Sequence, residues 1–136
     1  MLTAASAKMT MGPVEFFRAK LEYEITPSGL KKLLETSPNN VCVVDVRAAE
    51  AFDAGHIPEA RNIPLETLAS SFYSLPKDKM LVTCCADLVC GLSTQASLEL
   101  AQKGFQVQHL IGGFAEWSRK GFPIETATSP APSQAW

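Results

Sequence analysis

The chain has 136 residues, 46% of them apolar, with 12 basic and 14 acidic side chains and a formal charge of −2. That length suits one domain with a real core, and the interspersed signs exclude a basic nucleic-acid footprint or a polybasic membrane patch. No apolar run nears the ~20 residues of a membrane span, and the start Met1–Lys8 carries no charged segment followed by an apolar stretch, so no secretory signal is expected.

Residues 1–12 are small, polar and Met-rich and are expected to be disordered, as is the Pro- and Ser-bearing tail 127–136. That leaves one domain over 13–126. Val14 to Leu21 has helical spacing, with Phe17 and Leu21 one turn apart. This apolar helix either covers the sheet or joins a dimer, so monomer and homodimer both stay open. Glu22 to Ile25 reads as a short strand. Thr26-Pro27 opens a helix through Leu34, with Thr26 as N-cap and Pro27 at the first helical position. Val41-Cys42-Val43-Val44-Asp45-Val46 is a β-branched run of central parallel-strand type. A short helix follows over Ala48–Ala54, stopped by Gly55, then a brief strand over Arg61–Pro64. Leu65 to Tyr73 is predicted helical, and Pro76–Lys79 is a turn.

Met80 to Cys84 reads as a buried parallel strand, and Ser93 to Lys103 as a helix closed by Gly104. Val107–Ile111 is another strand, and Phe114–Lys120 a last helix stopped by Gly121 and Pro123. Strands and helices alternate with connections long enough for right-handed crossovers, which gives an α/β domain with a parallel sheet covered on both faces. No internal repeat is present.

Cys85 stands where the strand gives way to a loop and then a helix, the place where α/β sheets bind ligands. Unpaired N–H groups at a helix start stabilise an anion such as a thiolate. Cys42, Cys84, Cys85 and Cys90 lack the spacing of a disulfide framework, and a core of this size needs no staples, so a reducing, cytoplasmic compartment is expected. His56 and His109 lie far from the cysteines in sequence, so no metal site is expected.

Asp45-Val46-Arg47, Gly55-His56-Ile57-Pro58-Glu59-Ala60, Asn62-Ile63-Pro64, the strand into Cys85, and Gly112-Gly113 with Trp117 and Gly121-Phe122-Pro123 together resemble the rhodanese family. The match runs in order from about Val14 to about Glu125. It is closest to small single-domain members with a second cysteine, as in Cys85-x4-Cys90. The resemblance implies a three-layer α/β/α fold with a five-stranded parallel sheet and sulfurtransferase chemistry. Cys85 then takes a sulfane sulfur from a small donor, holds it as a persulfide and passes it to a thiol or cyanide-like acceptor, or to an acceptor protein. No cofactor is implied. The backbone amides of the loop Ala86, Asp87, Leu88, Val89, Cys90 and Gly91 would cradle the outer sulfur.

Side chains alternate along a strand, so only one of the two adjacent cysteines faces the loop side, and Cys84 is read as a small buried hydrophobe. Cys90 occupies a position where many family members carry a loop arginine. It is either a resolving thiol that attacks the Cys85 persulfide, or a helix-start residue of suitable size. The missing arginine argues against the phosphatase chemistry found on related folds, which needs bidentate phosphate binding. Asp45 and Arg47 are expected to tie neighbouring loops, with Arg47 as an anion contact the alternative. His56 is expected to satisfy buried backbone groups.

Asp87 is the only charged residue of the loop. Facing a thiolate at ~7 Å, it would disfavour the anion by about 0.6 kcal/mol in water and about 2 kcal/mol at an effective dielectric near 20. A helix N-terminus offsets about 0.3–1 kcal/mol, up to ~2 when partly buried. Activation therefore falls to direct N–H···S contacts, and a persulfide or polysulfide donor stands beside thiosulfate, a dianion. The other reading points Asp87 into solvent. A non-catalytic relay or interaction module, and a thiol-redox switch through Cys85 and Cys90, are the rival functions.

Overall fold

The computed structural model describes residues 11–127; of the ends expected to be disordered, 1–12 and 127–136, all but Met11, Gly12 and Ala127 lie outside the described residues, and the Ala127 N–H donates to the Asp53 carbonyl. The elements run α1 (Pro13–Tyr23), β1 (Glu24–Ile25), α2 (Pro27–Thr36), β2 (Val41–Asp45), α3 (Ala49–Ala54) and β3 (Arg61–Asn62). Then come α4 (Leu68–Ser71), β4 (Met80–Cys84), α5 (Leu92–Gln102), β5 (Gln106–Leu110) and α6 (Gly113–Arg119). All strand pairs are parallel, in the order β1-β5-β4-β2-β3. The five-stranded parallel sheet is as expected, and β4 is its central strand.

The period-2 alternation of the strands divides the core into two halves. Val41, Val43, Val82 and Cys84 pack with Leu30 and Leu34 of α2 and Trp117 of α6 on one face. Val44 and Leu81 pack with Leu68 of α4 and Ala96 and Leu100 of α5 on the other. The result is the three-layer arrangement. In register, Asp45 lies opposite Cys84, so the carboxyl ends of β2 and β4 sit side by side.

Several boundaries differ from the sequence expectation. α1 runs on to Tyr23, where the Glu24 N–H donates to the Lys20 carbonyl, so β1 starts two residues later than Glu22. The strand expected over Arg61–Pro64 shrinks to two residues, since Pro64 has no N–H to offer. The helix expected over Leu65–Tyr73 breaks into a 3-10 turn (Leu65–Thr67), the single turn α4 and another 3-10 turn (Phe72–Ser74). Thr67, Ser70 and Ser74 each donate a hydroxyl to the carbonyl three residues back, which competes with regular helix hydrogen bonding. α1 lies along β1 and β5 with none of its residues buried, and Phe16 and Phe17 remain exposed.

Candidate active site

The loop Cys85–Gly91 leaves the end of β4 and enters α5. Its first two residues are clamped from below. The Phe114 N–H donates to the Cys85 carbonyl and the Ala115 N–H to the Ala86 carbonyl, both at 2.9 Å. These are first-turn donors of α6, which have no partner inside their own helix, so the loop carbonyls cap α6 while α6 fixes the loop. The approach requires glycine: a Cβ on Gly113, whose φ is +60°, would lie 2.6 Å from the Cys85 carbonyl oxygen. The far end is held through β4. The buried Thr83 hydroxyl contacts the Ser93 carbonyl (3.3 Å) and the Ser97 hydroxyl (2.8 Å), pinning the first turns of α5.

Cys85 is 1% exposed and Cys90 half-buried, and the two are joined in a disulfide with their Cα atoms 6.3 Å apart. That separation lies within the usual disulfide range. Between them Ala86, Asp87, Leu88 and Val89 are exposed, Leu88 at 75% and Val89 at 90%. Gly91, exposed, precedes α5.

Asp87 is exposed, in keeping with the solvated reading, and its carboxylate also turns back onto its own loop. Its Oδ1 accepts the N–H groups of Val89 and Cys90, each at 3.1 Å, and its carbonyl accepts the Cys90 N–H at 3.3 Å. Two of the six amides expected to cradle a sulfur are therefore turned onto Asp87, and the cradle of Ala86–Gly91 is incomplete in this disulfide-closed loop.

Cys84 points into the opposite core, where Asp45 and its aliphatic neighbours surround it. Burial, and secondarily the Asp45 carboxylate, push its thiol far above the ordinary range, so it is held protonated. Cys42 is half-buried and its thiol is also raised by burial, against smaller opposing effects of Arg61 and Lys79.

Arg47 is buried and ties neighbouring loops. Its Nε and Nη2 donate to the Asp45 carboxylate at 2.8–3.2 Å, Nη2 also donates to the Gly55 carbonyl at 2.7 Å, and the guanidinium stacks 4.5 Å from the Phe114 ring centre. That arrangement agrees with the loop-tying alternative for Arg47. Asn62 completes the clip by donating to the carbonyls of Asp45 and Arg47. His56 contacts the Phe52 carbonyl through Nδ1 (2.6 Å) and Glu125 Oε1 through Nε2 (3.0 Å), remote from the thiols in role.

Two side-chain connections were missed in the sequence. Glu125 receives both His56 and the Glu59 N–H, 69 and 66 residues away. Ser93 meets His109 Nδ1 at 3.2 Å while His109 Nε2 faces Glu24 at 3.4 Å, which ties α5 to β5 and β1. No local pattern in the sequence signals either connection. Beside the loop, Asp87 and Leu88 form one wall of a cleft of about 590 Å³ whose other walls carry Ser28, Ile111 and Arg119. Among the described residues no group of three or more His, Cys, Asp or Glu is placed to hold a metal ion, and no helix is long and apolar enough to cross a membrane.

Comparison with known proteins agrees with this architecture. The model of the rhodanese-like domain matches residues 26–120. The chain is 34% identical over 109 residues to the thiosulfate sulfurtransferase GlpE of Pseudomonas aeruginosa, covering 79% of this chain and 93% of that one. It is 36% identical over 85 residues to the HTH-type transcriptional regulator Rv0324 of Mycobacterium tuberculosis, covering 62% of this chain; the match spans only 38% of the regulator's length. The crystal structure of the BH2092 protein from Bacillus halodurans superposes with a TM-score of 0.77 at 32% identity, covering 92% of this chain and 94% of that one. With the strand order, the clamped cysteine loop and a family match over most of the domain in agreement, the chain belongs to the rhodanese-like domain family.

Proposed function

We propose that this protein is a sulfurtransferase that carries sulfane sulfur as a persulfide on Cys85. The observation that carries the reading is the contrast between adjacent thiols. Cys84 is locked in the core and held protonated, whereas Cys85 sits in a loop at the carboxyl end of the central strand. Loop backbone N–H groups supply the polarity that stabilises a thiolate and its outer sulfur. The loop has no Lys or Arg, so a persulfide or polysulfide donor fits it at least as well as thiosulfate, the donor named for the GlpE relatives. A thiol is the natural acceptor, on a small molecule or on a protein, in a reducing, cytoplasmic setting.

Cys90 is the resolving thiol in this scheme. Its thiolate attacks Cys85 Sγ of the persulfide, the Sγ–Sδ bond breaks, and the outer sulfur leaves with the electron pair as hydrosulfide. Two thiol sulfurs are oxidised to the disulfide while the sulfane sulfur is reduced, so no outside oxidant is required. The closed Cys85–Cys90 pair also supports a second reading, a thiol-redox switch in which the disulfide itself is the signal.

The test is intact mass. Reduced, desalted Cys90→Ala given a sulfane donor should gain about 32 Da, one sulfur atom, and lose it on reduction, as persulfides do, whereas wild type should pass through that adduct to the Cys85–Cys90 disulfide. Cys85→Ser should gain nothing. A donor-treated wild type that shows only loss of two hydrogens, with no sulfur adduct in a Cys90→Ala background, would favour the switch.

A further inference from the structure

Five steps of extended chain would carry Cys90 up to roughly 17 Å from Cys85, yet the two Cα atoms are 6.3 Å apart. The bend that closes this distance is organised by one side chain. Asp87 Oδ1 holds the N–H groups of Val89 and Cys90, and the Asp87 carbonyl reaches the Cys90 N–H as well. An Asp side chain bonding the backbone two and three residues on is the local device that folds a chain back without a regular element. Between the two cysteines the other residues, Ala86, Leu88 and Val89, are apolar and exposed and contribute no competing hold.

The two N–H groups taken by Asp87 belong to the set that would otherwise point at the outer sulfur of a persulfide. One pair of donors cannot serve both partners. We infer that Asp87 is a positioning residue that sets the fate of sulfur on Cys85: its carboxylate oxygen bends the loop so that Cys90 meets Cys85 and withdraws two donors from the cradle. The inference rests on the persulfide reading of Cys85. With no acceptor present, Cys90 displaces hydrosulfide and the loop closes on its disulfide; a dithiol or two monothiols must then reopen it, being oxidised to a disulfide as Cys85 and Cys90 are reduced. What matters is the acceptor geometry of Oδ1, which Asn reproduces and Ala does not.

The experiment compares full-length wild type, Asp87→Asn and Asp87→Ala, with Cys90→Ala added in the sulfur-donor arm. In one arm each protein is equilibrated in defined mixtures of reduced and oxidised glutathione, quenched in acid, alkylated and weighed, with no sulfur donor present. Loss of two hydrogen bonds should lower the disulfide-forming equilibrium of Asp87→Ala by about tenfold or more, with Asp87→Asn within about threefold of wild type. In the second arm the reduced proteins receive a polysulfide donor. Asp87→Ala should keep its sulfur adduct longer and release hydrosulfide more slowly, while Asp87→Asn behaves as wild type. Thermal unfolding of the reduced forms checks that all three are equally folded, as expected for an exposed loop position.

The inference is overturned if Asp87→Ala closes as readily as wild type. It is equally overturned if Asp87→Asn falls as far as Asp87→Ala, since charge and not the bend would then be responsible. Failure of every variant, including Cys90→Ala, to take up sulfur while the redox order holds refutes the sulfur-carrier reading and leaves the bend standing. Normal loading with the redox order lost refutes the role of Asp87 alone.

Discussion

Gly113→Ala is the sharpest test of how the fold holds the thiol loop. Gly113 has φ +60°, and the added Cβ would meet the Cys85 carbonyl oxygen at 2.6 Å and the Ala86 carbon and Asp87 nitrogen at 3.0 Å. The left-handed conformation alone costs an alanine about 1–2 kcal/mol. The contact is with backbone that has nowhere to rotate, and such overpacking costs about 1–3 kcal/mol more. Relief requires the loop to lift from α6, lengthening the Phe114-to-Cys85 and Ala115-to-Ala86 hydrogen bonds. We therefore expect about 2–5 kcal/mol of destabilisation in urea unfolding, together with slower sulfur loading of the protein that remains folded. Gly121→Ala is the matched control. Its φ is +75° but its Cβ meets nothing within 4 Å, so it should cost only the about 1–2 kcal/mol conformational part and leave loading unchanged. Equal losses for the two variants, or full loading by Gly113→Ala at a temperature where it is folded, would refute the clamp.

Cys85→Ser should abolish loading, whereas Cys84→Ala should cost about 1 kcal/mol or somewhat more in packing and keep loading; the reverse pattern in the mass assay would assign the chemistry to the wrong face of β4. Because burial holds the Cys84 thiol above its ordinary range, the unfolded chain loses that proton first. The stability it contributes is complete below about pH 8.5 and is lost as pH rises, by up to about 1.4 kcal/mol per unit. Urea unfolding of the oxidised protein between about pH 8 and pH 10 should thus fall more steeply for wild type than for Cys84→Ala, and parallel slopes would refute the assignment. Arg47→Ala leaves Asp45 buried without its partner and should cost about 3–5 kcal/mol, while donor concentration dependence stays unchanged in folded protein; a selective loss of affinity for thiosulfate would instead make Arg47 an anion contact.

The chain order of the strands and the place of Cys85 were legible because they depend on local pattern. Val41–Asp45 and Met80–Cys84 are β-branched and apolar runs that only a two-faced buried strand accommodates. Alternation then allows only one of Cys84 and Cys85 to face the loop side, and the family resemblance points to Cys85. Side-chain hydrogen bonding was not legible. Nothing in the string Cys85-Ala86-Asp87-Leu88 says whether Asp87 turns outward, toward a thiolate, or back onto the amides of Val89 and Cys90; that choice depends on the loop's own curvature. The Leu65–Tyr73 segment failed for the same reason, since apolar spacing signalled a helix while three hydroxyls took carbonyls at i−3. His56 showed itself as a buried histidine by its surroundings, but its partner Glu125 lies too far along the chain for any pattern to join them.

The anchoring of the loop explains why so few residues decide its chemistry. Cys85 and Ala86 are held at their carbonyls by α6, and α5 is held from its first turns by Thr83. Both ends are therefore fixed by hydrogen bonds to rigid elements. The segment between them, Asp87 to Cys90, has no bond of this kind to the core: its hydrogen bonds run within the loop, and Leu88 and Val89 stand in solvent. Rearranging four residues costs little when no core packing is lost, so a single carboxylate is enough to choose between conformers. A lysine or arginine in this segment would bind an anionic donor but would also compete for Asp87 by forming an ion pair. Its absence leaves the carboxylate free to hold the backbone, and under the proposed mechanism the same feature would disfavour a dianionic donor and favour closure by Cys90.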